Sequence, residues 1–99
     1  MNIGYVSDVF CYGPDACSGA EITLEFTSNI NCNGPGACDG AELELDSTLT
    51  CTGGSSNKPA CTDTTEVSNS AGGVVVFCQT NGCTAGFIAK AEDNGVTVI

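Results

Sequence analysis

The chain of 99 residues contains no histidine, arginine or tryptophan, and its only basic side chains are Lys58 and Lys90. The absence of histidine removes the side chain that most often serves as an acid–base catalyst and as a nitrogen ligand for metals. Twelve acidic residues give a net charge of −10, which repels the phosphates of nucleic acids. We therefore expect no nucleic-acid partner.

Long apolar runs and catalytic motifs are also absent. No stretch reaches the roughly 18–20 apolar residues that cross a bilayer, so we expect no membrane span. The sequence has neither a Gly-x-Ser-x-Gly nucleophile elbow nor a phosphate-binding loop. Paired carboxylates can hydrolyse glycosides, but so short a chain offers no long groove and no basic group to orient a sugar acid. We expect no enzyme activity and no catalytic residues.

Cysteine is abundant by contrast. Eight cysteines, an even number, indicate a disulfide scaffold and hence an extracellular or cell-surface location. The sequence begins without a basic leader and an apolar run, so we expect that a signal peptide has been removed or that this is a segment of a longer secreted protein. No Asn-x-Ser/Thr sequon occurs, whereas the serine and threonine content is compatible with O-linked glycans.

The cysteines belong to an internal repeat. Residues 9–26 (VFCYGPDACSGAEITLEF) and 30–46 (INCNGPGACDGAELELD) are two copies of one block, and two weaker copies share an aliphatic-x-Cys start and a second cysteine. The four copies, here called rungs, begin near residues 9, 30, 49 and 76. A period of 20–50 residues is typical of stacked architectures in which each copy buries its apolar face against its neighbours. We predict a single domain over residues 1–99.

Apolar residues alternate with polar ones after each second cysteine, as in Glu21-Ile22-Thr23-Leu24 and Glu42-Leu43-Glu44-Leu45. A period of two indicates half-buried strands, and frequent glycines break any helix of ten residues. We predict an all-β fold: a disulfide-stapled parallel β-helix (β-solenoid) of about four rungs with little or no helix. Stacking at about 4.8 Å would place Ile22 above Leu43. The alternative is a small disulfide sandwich with two similar hairpins.

Pairing within each rung is the simplest disulfide scheme, because a Gly-Pro inside the first two loops lets the chain turn back. The pairs would be Cys11–Cys17, Cys32–Cys38, Cys51–Cys61 and Cys78–Cys83. Eight cysteines allow 105 connectivities, so other pairings stay open. The spacings fit neither a zinc site nor a plant-type iron–sulfur site, for which Gly86 occupies the position of a third ligand.

Stacking in register would place Glu21 over Glu42, Thr23 over Glu44 and Glu25 over Asp46. One interpretation is a solvated acidic face that discourages aggregation. The other is a calcium site, because calcium binds clustered carboxylate and carbonyl oxygens. The candidate ligands are Glu21, Glu25, Glu42, Glu44 and Asp46, to which Asp39 and Asp63 at the corners could add. Apart from calcium we expect no cofactor.

The unit Cys-x-Gly-Pro-x-Ala-Cys-x-Gly-Ala-Glu-Ile/Leu-x-Leu resembles cysteine-rich parallel β-helix repeats of secreted and surface proteins of algae and other protists. The similarity is good over residues 9–46 and looser over 49–90, where Phe87 and Lys90 replace the Glu and Leu of the strong copies. The resemblance implies a right-handed β-helix, an extracellular location and a scaffold or adhesive role. It implies no catalytic residues.

Both ends of the sequence read as apolar strands without the polar caps that close a solenoid. Open edges favour addition of further strands, and a heterologous contact that does not close makes a filament. We therefore expect an extracellular structural protein that stacks head to tail on itself or on adjoining repeats. The alternative is a secreted binding module for glycan, calcium or ice. The candidate assembly edges contain Ile3, Tyr5, Val6, Val96, Val98 and Ile99.

Overall fold

The computed structural model describes residues 2–3, 8–24, 29–45, 48–69 and 74–99. Nine strands and one helix lie in this part of the chain. They are β1 (Asn2–Ile3), β2 (Val9–Tyr12), β3 (Glu21–Leu24), β4 (Ile30–Asn33), β5 (Glu42–Leu45), β6 (Thr48–Thr52), β7 (Glu66–Asn69), β8 (Val75–Cys78), α1 (Ala85–Asp93) and β9 (Thr97–Val98).

The strands form two parallel sheets. Sheet A has the order β1-β3-β5-β7 and sheet B the order β2-β4-β6-β8-β9. Each of the first three rungs consists of a strand of sheet B, a corner that contains the second cysteine, and a strand of sheet A. Because the chain alternates between the sheets, each strand of these rungs pairs with the equivalent strand of a neighbouring rung. The predicted all-β solenoid of about four rungs is confirmed.

The register follows the repeat in the sequence. In sheet B, Cys11 pairs with Cys32, Cys32 with Cys51, and Cys51 with Cys78. In sheet A, Glu21 pairs with Glu42 and Ile22 with Leu43. A strand that slipped by one residue would turn its apolar side chains to solvent, so the alternating pattern fixes this alignment.

The corners add a third ladder of hydrogen bonds. Asp15 and Cys17 donate their backbone N–H groups to the carbonyl oxygens of Pro35 and Ala37, and Cys38 donates to Ala60. Gly34 has φ +137°, and a Cβ there would lie 2.6 Å from the Gly13 carbonyl oxygen. Only glycine therefore permits successive corners to approach so closely.

All eight cysteines lie in the described part of the chain, and they form the four within-rung disulfides predicted from the sequence. The paired Cα atoms are 5.5–5.9 Å apart, within the usual range for a disulfide. Cys11, Cys32, Cys38, Cys51 and Cys61 are almost fully buried. The disulfides therefore belong to the core, where they pack with the aliphatic side chains of both sheets.

Helix α1 was not anticipated by the sequence analysis. It follows the fourth corner, in the place that a strand of sheet A takes in the first three rungs, and it packs on β7 and β9. Phe87 and Ala91 lie on its buried side. The expectation that the solenoid has no cap is wrong at this end of sheet A, because α1 covers it.

The polar side chains of α1 complete the cap. The Asn94 side-chain amide donates to the carbonyl oxygen of Val67 in β7 at 2.8 Å, and the Lys90 ammonium group donates to the carbonyl oxygen of Asp63. The Asn94 donor takes the place of a further strand at β7, because an edge strand otherwise leaves its backbone groups unpaired, and Lys90 ties the helix to the corner before β7. No helix among the described residues is long and apolar enough to cross a membrane.

Candidate functional site

The outer face of sheet A carries the acidic ladder, defined here as Glu21, Glu42 and Glu66, one residue from each of β3, β5 and β7. Glu42 pairs in register with both of the others, and all three are exposed. Stacking brings these carboxylates together because Ile22, Leu43 and Val67, the next residues along the strands, point into the core. Glu66 was missed from the sequence, although it also precedes an inward-facing residue.

A groove of about 690 Å³ runs over the acidic ladder. Its floor is the outer face of β3, β5 and β7, and α1 forms one wall with Lys90, Asp93 and Asn94. Glu44 and Ser68 add polar groups beside the ladder. The groove therefore combines negative charge, and the ammonium group of Lys90 at its margin, with apolar surface of about equal extent.

Electrostatic repulsion within the acidic ladder alters the protonation of its middle member. The charge of Glu21 raises the pKa of Glu42, as do a hydrogen bond with Glu21 and the charge of Glu66. Glu42 therefore keeps its proton to a higher pH than an isolated glutamate does.

The candidate calcium ligands are only partly brought together. Glu21, Glu42 and Glu44 share the outer face of sheet A, whereas Glu25 and Asp46 lie outside the described residues. Within the described part of the chain, no three acidic, histidine or cysteine side chains are arranged to hold a metal ion. Calcium binding stays a prediction.

Asp39 and Asp63, the suggested additional ligands, are engaged with threonines at the corners. One carboxylate oxygen of Asp39 accepts hydrogen bonds from the hydroxyls of Thr62 and Thr64, both at 2.5 Å. Asp63 accepts from the hydroxyl of Thr84, the N-cap residue of α1. The hydroxyls of Thr62 and then Thr64 lower the pKa of Asp39, because they stabilise its charged form.

Lys58 forms an ion pair at the same corner surface. Its ammonium group lies 2.7 Å from a carboxylate oxygen of Asp15, and both side chains are about half exposed. The hydrogen bond with Asp15 raises the pKa of Lys58. Lys58 thus joins the first and third corners.

The six candidate assembly residues differ in position. Ile3 lies in β1, at the start of sheet A, while Tyr5 and Val6 lie outside the described residues. Val98 packs partly against the core, and Ile99 is 67% exposed. The assignment of Val96 to an exposed edge is wrong: its side chain is 3% exposed, and it lies in the core beside α1.

The N-terminal edge, formed by the outer edges of β1 and β2, differs from the capped end. Each of these strands has a neighbour on one side only among the described residues. Val9 and Gly13 donate their N–H groups to the carbonyl oxygens of Asn29 and Asn33. Because successive backbone groups along a strand point to opposite edges, those of Phe10 and Tyr12 face the N-terminal edge.

The outer face of sheet B is chemically unlike that of sheet A. Where Cys11, Cys32 and Cys51 point inward, their neighbours point outward, and none of these neighbours is charged. This uncharged face consists of three columns: Phe10, Asn31, Thr50 and Phe77; Tyr12, Asn33 and Thr52; and Thr48, Val75 and Thr97. Sequence analysis missed it, although the inward cysteines fix the outward positions.

Comparison of the chain with protein-family models, with curated proteins and with solved structures finds no match.

Proposed function

We propose that this chain is an extracellular structural unit whose rungs continue a longer β-solenoid stack through the N-terminal edge. The observation that carries the proposal is the difference between its two ends. The N-terminal edge presents the unpaired backbone of β1 and β2 among the described residues, whereas α1 covers sheet A at the other end. The added rungs are those of an adjoining repeat or of a second copy. No catalysis is involved.

The disulfides support the extracellular location and the structural role. Four of them lie within single rungs of a chain of 99 residues, and disulfides persist in oxidising compartments. Each one fixes a corner without linking different rungs. The stack can therefore be lengthened by rungs of the same kind without any change of connectivity.

Helix α1 obstructs a head-to-tail contact between two copies of the chain. A head-to-tail contact would have to place β1 of one copy against α1 of the next, where Asn94 already binds the carbonyl group of Val67 in sheet A and Lys90 binds that of Asp63 in the preceding corner. At that end, among the residues that the structure describes, the edge of sheet B is β9, which is two residues long. The geometry thus favours the N-terminal edge as the contact surface.

The test compares two substitutions at one edge position. Phe10→Pro removes the outward N–H group and the ring, whereas Phe10→Ala removes the ring and keeps the N–H group. Light scattering on the oxidised protein at increasing concentration should show assembly of the wild type and of Phe10→Ala but a monomer for Phe10→Pro. Electron microscopy then distinguishes a closed dimer from a filament.

Two checks keep this experiment decisive. Circular dichroism and the mass of the oxidised protein must show that both variants are folded with four disulfides. A wild-type protein that stays monomeric over the whole concentration range would refute assembly with a second copy, and assembly of Phe10→Pro like the wild type would refute the edge.

A further inference from the structure

We infer that the uncharged face of sheet B binds an extended, neutral polysaccharide chain. This function is independent of the N-terminal edge, because it uses side chains on the outer face and not the backbone of the edge strand. The argument rests on the charge of the two faces, the exposed aromatic rings and the spacing of the polar columns.

The distribution of charge selects the kind of ligand. The outer face of sheet A carries Glu21, Glu42 and Glu66, whereas the strands of sheet B turn no charged side chain outward. On a chain of net charge −10, an uncharged face repels anionic polymers less than the acidic ladder does but offers them no cation. A cationic polymer would bind the acidic ladder instead. The occupant that complements the uncharged face is therefore neutral.

Two aromatic rings stand out of this face. Phe10 is 58% and Tyr12 61% exposed, and their ring centroids lie 5.5 Å apart in an edge-to-face arrangement. The core does not require them, because Val9 and Cys11 of the same strand supply the inward contacts. Exposed aromatic rings can stack on the C–H faces of sugar rings while the tyrosine hydroxyl donates hydrogen bonds.

Polar side chains continue the aromatic columns across the sheet. Asn31 and Thr50 separate Phe10 from Phe77 in one column, and Asn33 and Thr52 follow Tyr12 in the next. Three strand spacings place Phe77 about 14 Å from Phe10. A sugar unit of an extended chain advances by a length similar to one strand spacing, so successive sugars would meet an aromatic ring, an amide and a hydroxyl in turn.

The amide and hydroxyl groups suit a ligand rich in hydroxyls. Asparagine offers two donors and an acceptor oxygen, and threonine offers a donor and an acceptor. No hydrogen bond joins the side chains of Asn31, Thr50 or Thr52 to another residue in the described ranges. These groups face solvent and are available to sugar hydroxyls.

The test is affinity electrophoresis of the oxidised protein in gels that contain one polysaccharide each. The neutral probes are hydroxyethyl cellulose, xyloglucan and dextran, and alginate is the anionic probe. We expect retardation by at least one neutral polymer and none by alginate. Phe10→Ala and Tyr12→Ala should each weaken binding about tenfold, while Glu92→Gln on α1 should leave it unchanged.

Three results would overturn the inference. They are no retardation by any neutral probe, retardation that Phe10→Ala and Tyr12→Ala do not reduce, or equal retardation by alginate. A second copy of the chain could occupy the uncharged face instead of a polysaccharide. Light scattering without polysaccharide tests this: if the wild type is a dimer and Phe10→Ala is a monomer, the uncharged face binds a second copy. Failure of the edge proposal leaves this inference standing, since Phe10→Pro and Phe10→Ala separate the backbone from the ring.

Discussion

Glu42 lies in the middle of the acidic ladder, where its charge is repelled from both sides. Glu21 and Glu66 raise its pKa, so the folded protein binds this proton more tightly than the unfolded chain does. The repulsion is therefore present at neutral pH and is relieved as pH falls through the range in which Glu42 is protonated. We predict that Glu42→Gln raises the Tm at neutral pH, and that added salt reduces the gain because salt screens exposed charges.

Glu92→Gln is the matched control for this prediction. It removes the same charge from an exposed position on α1, away from the acidic ladder. Thermal melts of both variants at pH 7 and at pH 4 test the argument. An equal gain for Glu92→Gln, or a gain for Glu42→Gln that persists at pH 4, would show that the acidic ladder is not the cause.

Asp39 has the opposite dependence on pH. The Thr62 and Thr64 hydroxyls lower its pKa, so its contribution to stability is present above the pKa of the unfolded chain and is lost as pH falls through the folded pKa. We predict that Asp39→Ala lowers the free energy of unfolding by about 1–2 kcal/mol at pH 7. Urea denaturation at pH 7 and pH 2.5 measures the difference, which should shrink at the lower pH.

Asp39→Asn separates the two contributions, because the amide oxygen still accepts from the threonines but carries no charge. We expect the free energy of unfolding of Asp39→Asn at pH 7 to lie between that of the wild type and that of Asp39→Ala. The sequence placed Asp39 at a corner, as a possible additional calcium ligand, and did not predict its hydrogen bonds. Its partners, Thr62 and Thr64, come from a longer corner in the third rung, whose path the repeat does not determine.

The strands were predictable because the alternation of apolar residues and the spacing of the cysteine repeat indicate the same arrangement. Alternation selects the inward residue of each strand, and the repeat of the cysteines selects which residues stack, as Cys11, Cys32, Cys51 and Cys78 do. Sheet B's outer face follows from the same rule, since Phe10 and Tyr12 flank an inward cysteine. The sequence analysis searched for a site among the acidic residues and the terminal edges, and it did not consider the outward residues of sheet B as one face.

Helix α1 was missed because its sequence occupies the place of a strand in the repeat. The features of the sequence that favour this helix lie within and next to the helix itself. Thr84 accepts the N–H of Phe87 at 3.1 Å as an N-cap, Phe87 and Ala91 have the four-residue spacing of a helix face, and Gly95 follows with φ +79°. Nine residues give a weak periodic pattern, and the contact with the edge of β7 stabilises the helix.

Phe87 tests the role of α1 as a cap. It is the largest fully buried side chain among the described residues, and it anchors the helix to the core. We predict that Phe87→Ala lowers the free energy of unfolding by about 3–5 kcal/mol, because it removes buried apolar surface and leaves a cavity.

Phe10→Ala provides the control, since it makes the same change at a ring that is 58% exposed, and surface substitutions usually stay within about 0.5 kcal/mol. Urea denaturation of both variants gives the comparison. If the two substitutions lowered the free energy of unfolding equally, packing of α1 would not stabilise this end of the stack. Loss of hydrogen-exchange protection in β7 with Phe87→Ala would show directly that its edge has been uncovered.

The whole molecule depends on its four staples, since a chain of this size buries a limited core. A disulfide that closes such a short loop contributes about 2–3 kcal/mol by the chain-entropy estimate, and four contribute on the order of 9 kcal/mol. That total is comparable with the entire stability of a small domain. We predict that reduction unfolds the protein, and an unchanged circular dichroism spectrum and Tm in excess thiol reductant would contradict this.

The effect of a disulfide on the Tm should depend on which rung of the stack contains it. In a stacked repeat each rung is stabilised by its neighbours on both sides, so an interior rung couples two interfaces and an end rung one. Cys11 and Cys17 staple the first rung, whose strand β2 has a neighbour on one side only among the described residues, whereas Cys51 and Cys61 staple the third, whose strand β6 lies between β4 and β8. We predict that replacing Cys51 and Cys61 by alanine lowers the Tm of the whole protein more than replacing Cys11 and Cys17 does.

Hydrogen exchange distinguishes this cause from loop length, because the third-rung loop is also longer, with a separation of 10 residues against 6. If loop length alone were the cause, the two disulfides would differ by about 0.4 kcal/mol in the stability that they contribute. Backbone amides would then lose their protection from exchange uniformly along the chain. Coupling between rungs predicts that Cys11→Ala/Cys17→Ala frees only β2 and its corner, while Cys51→Ala/Cys61→Ala exposes β4, β6 and β8 together. Uniform exchange in both variants would show that the stack unfolds as a single unit and that the end rung is as firmly held as the interior ones.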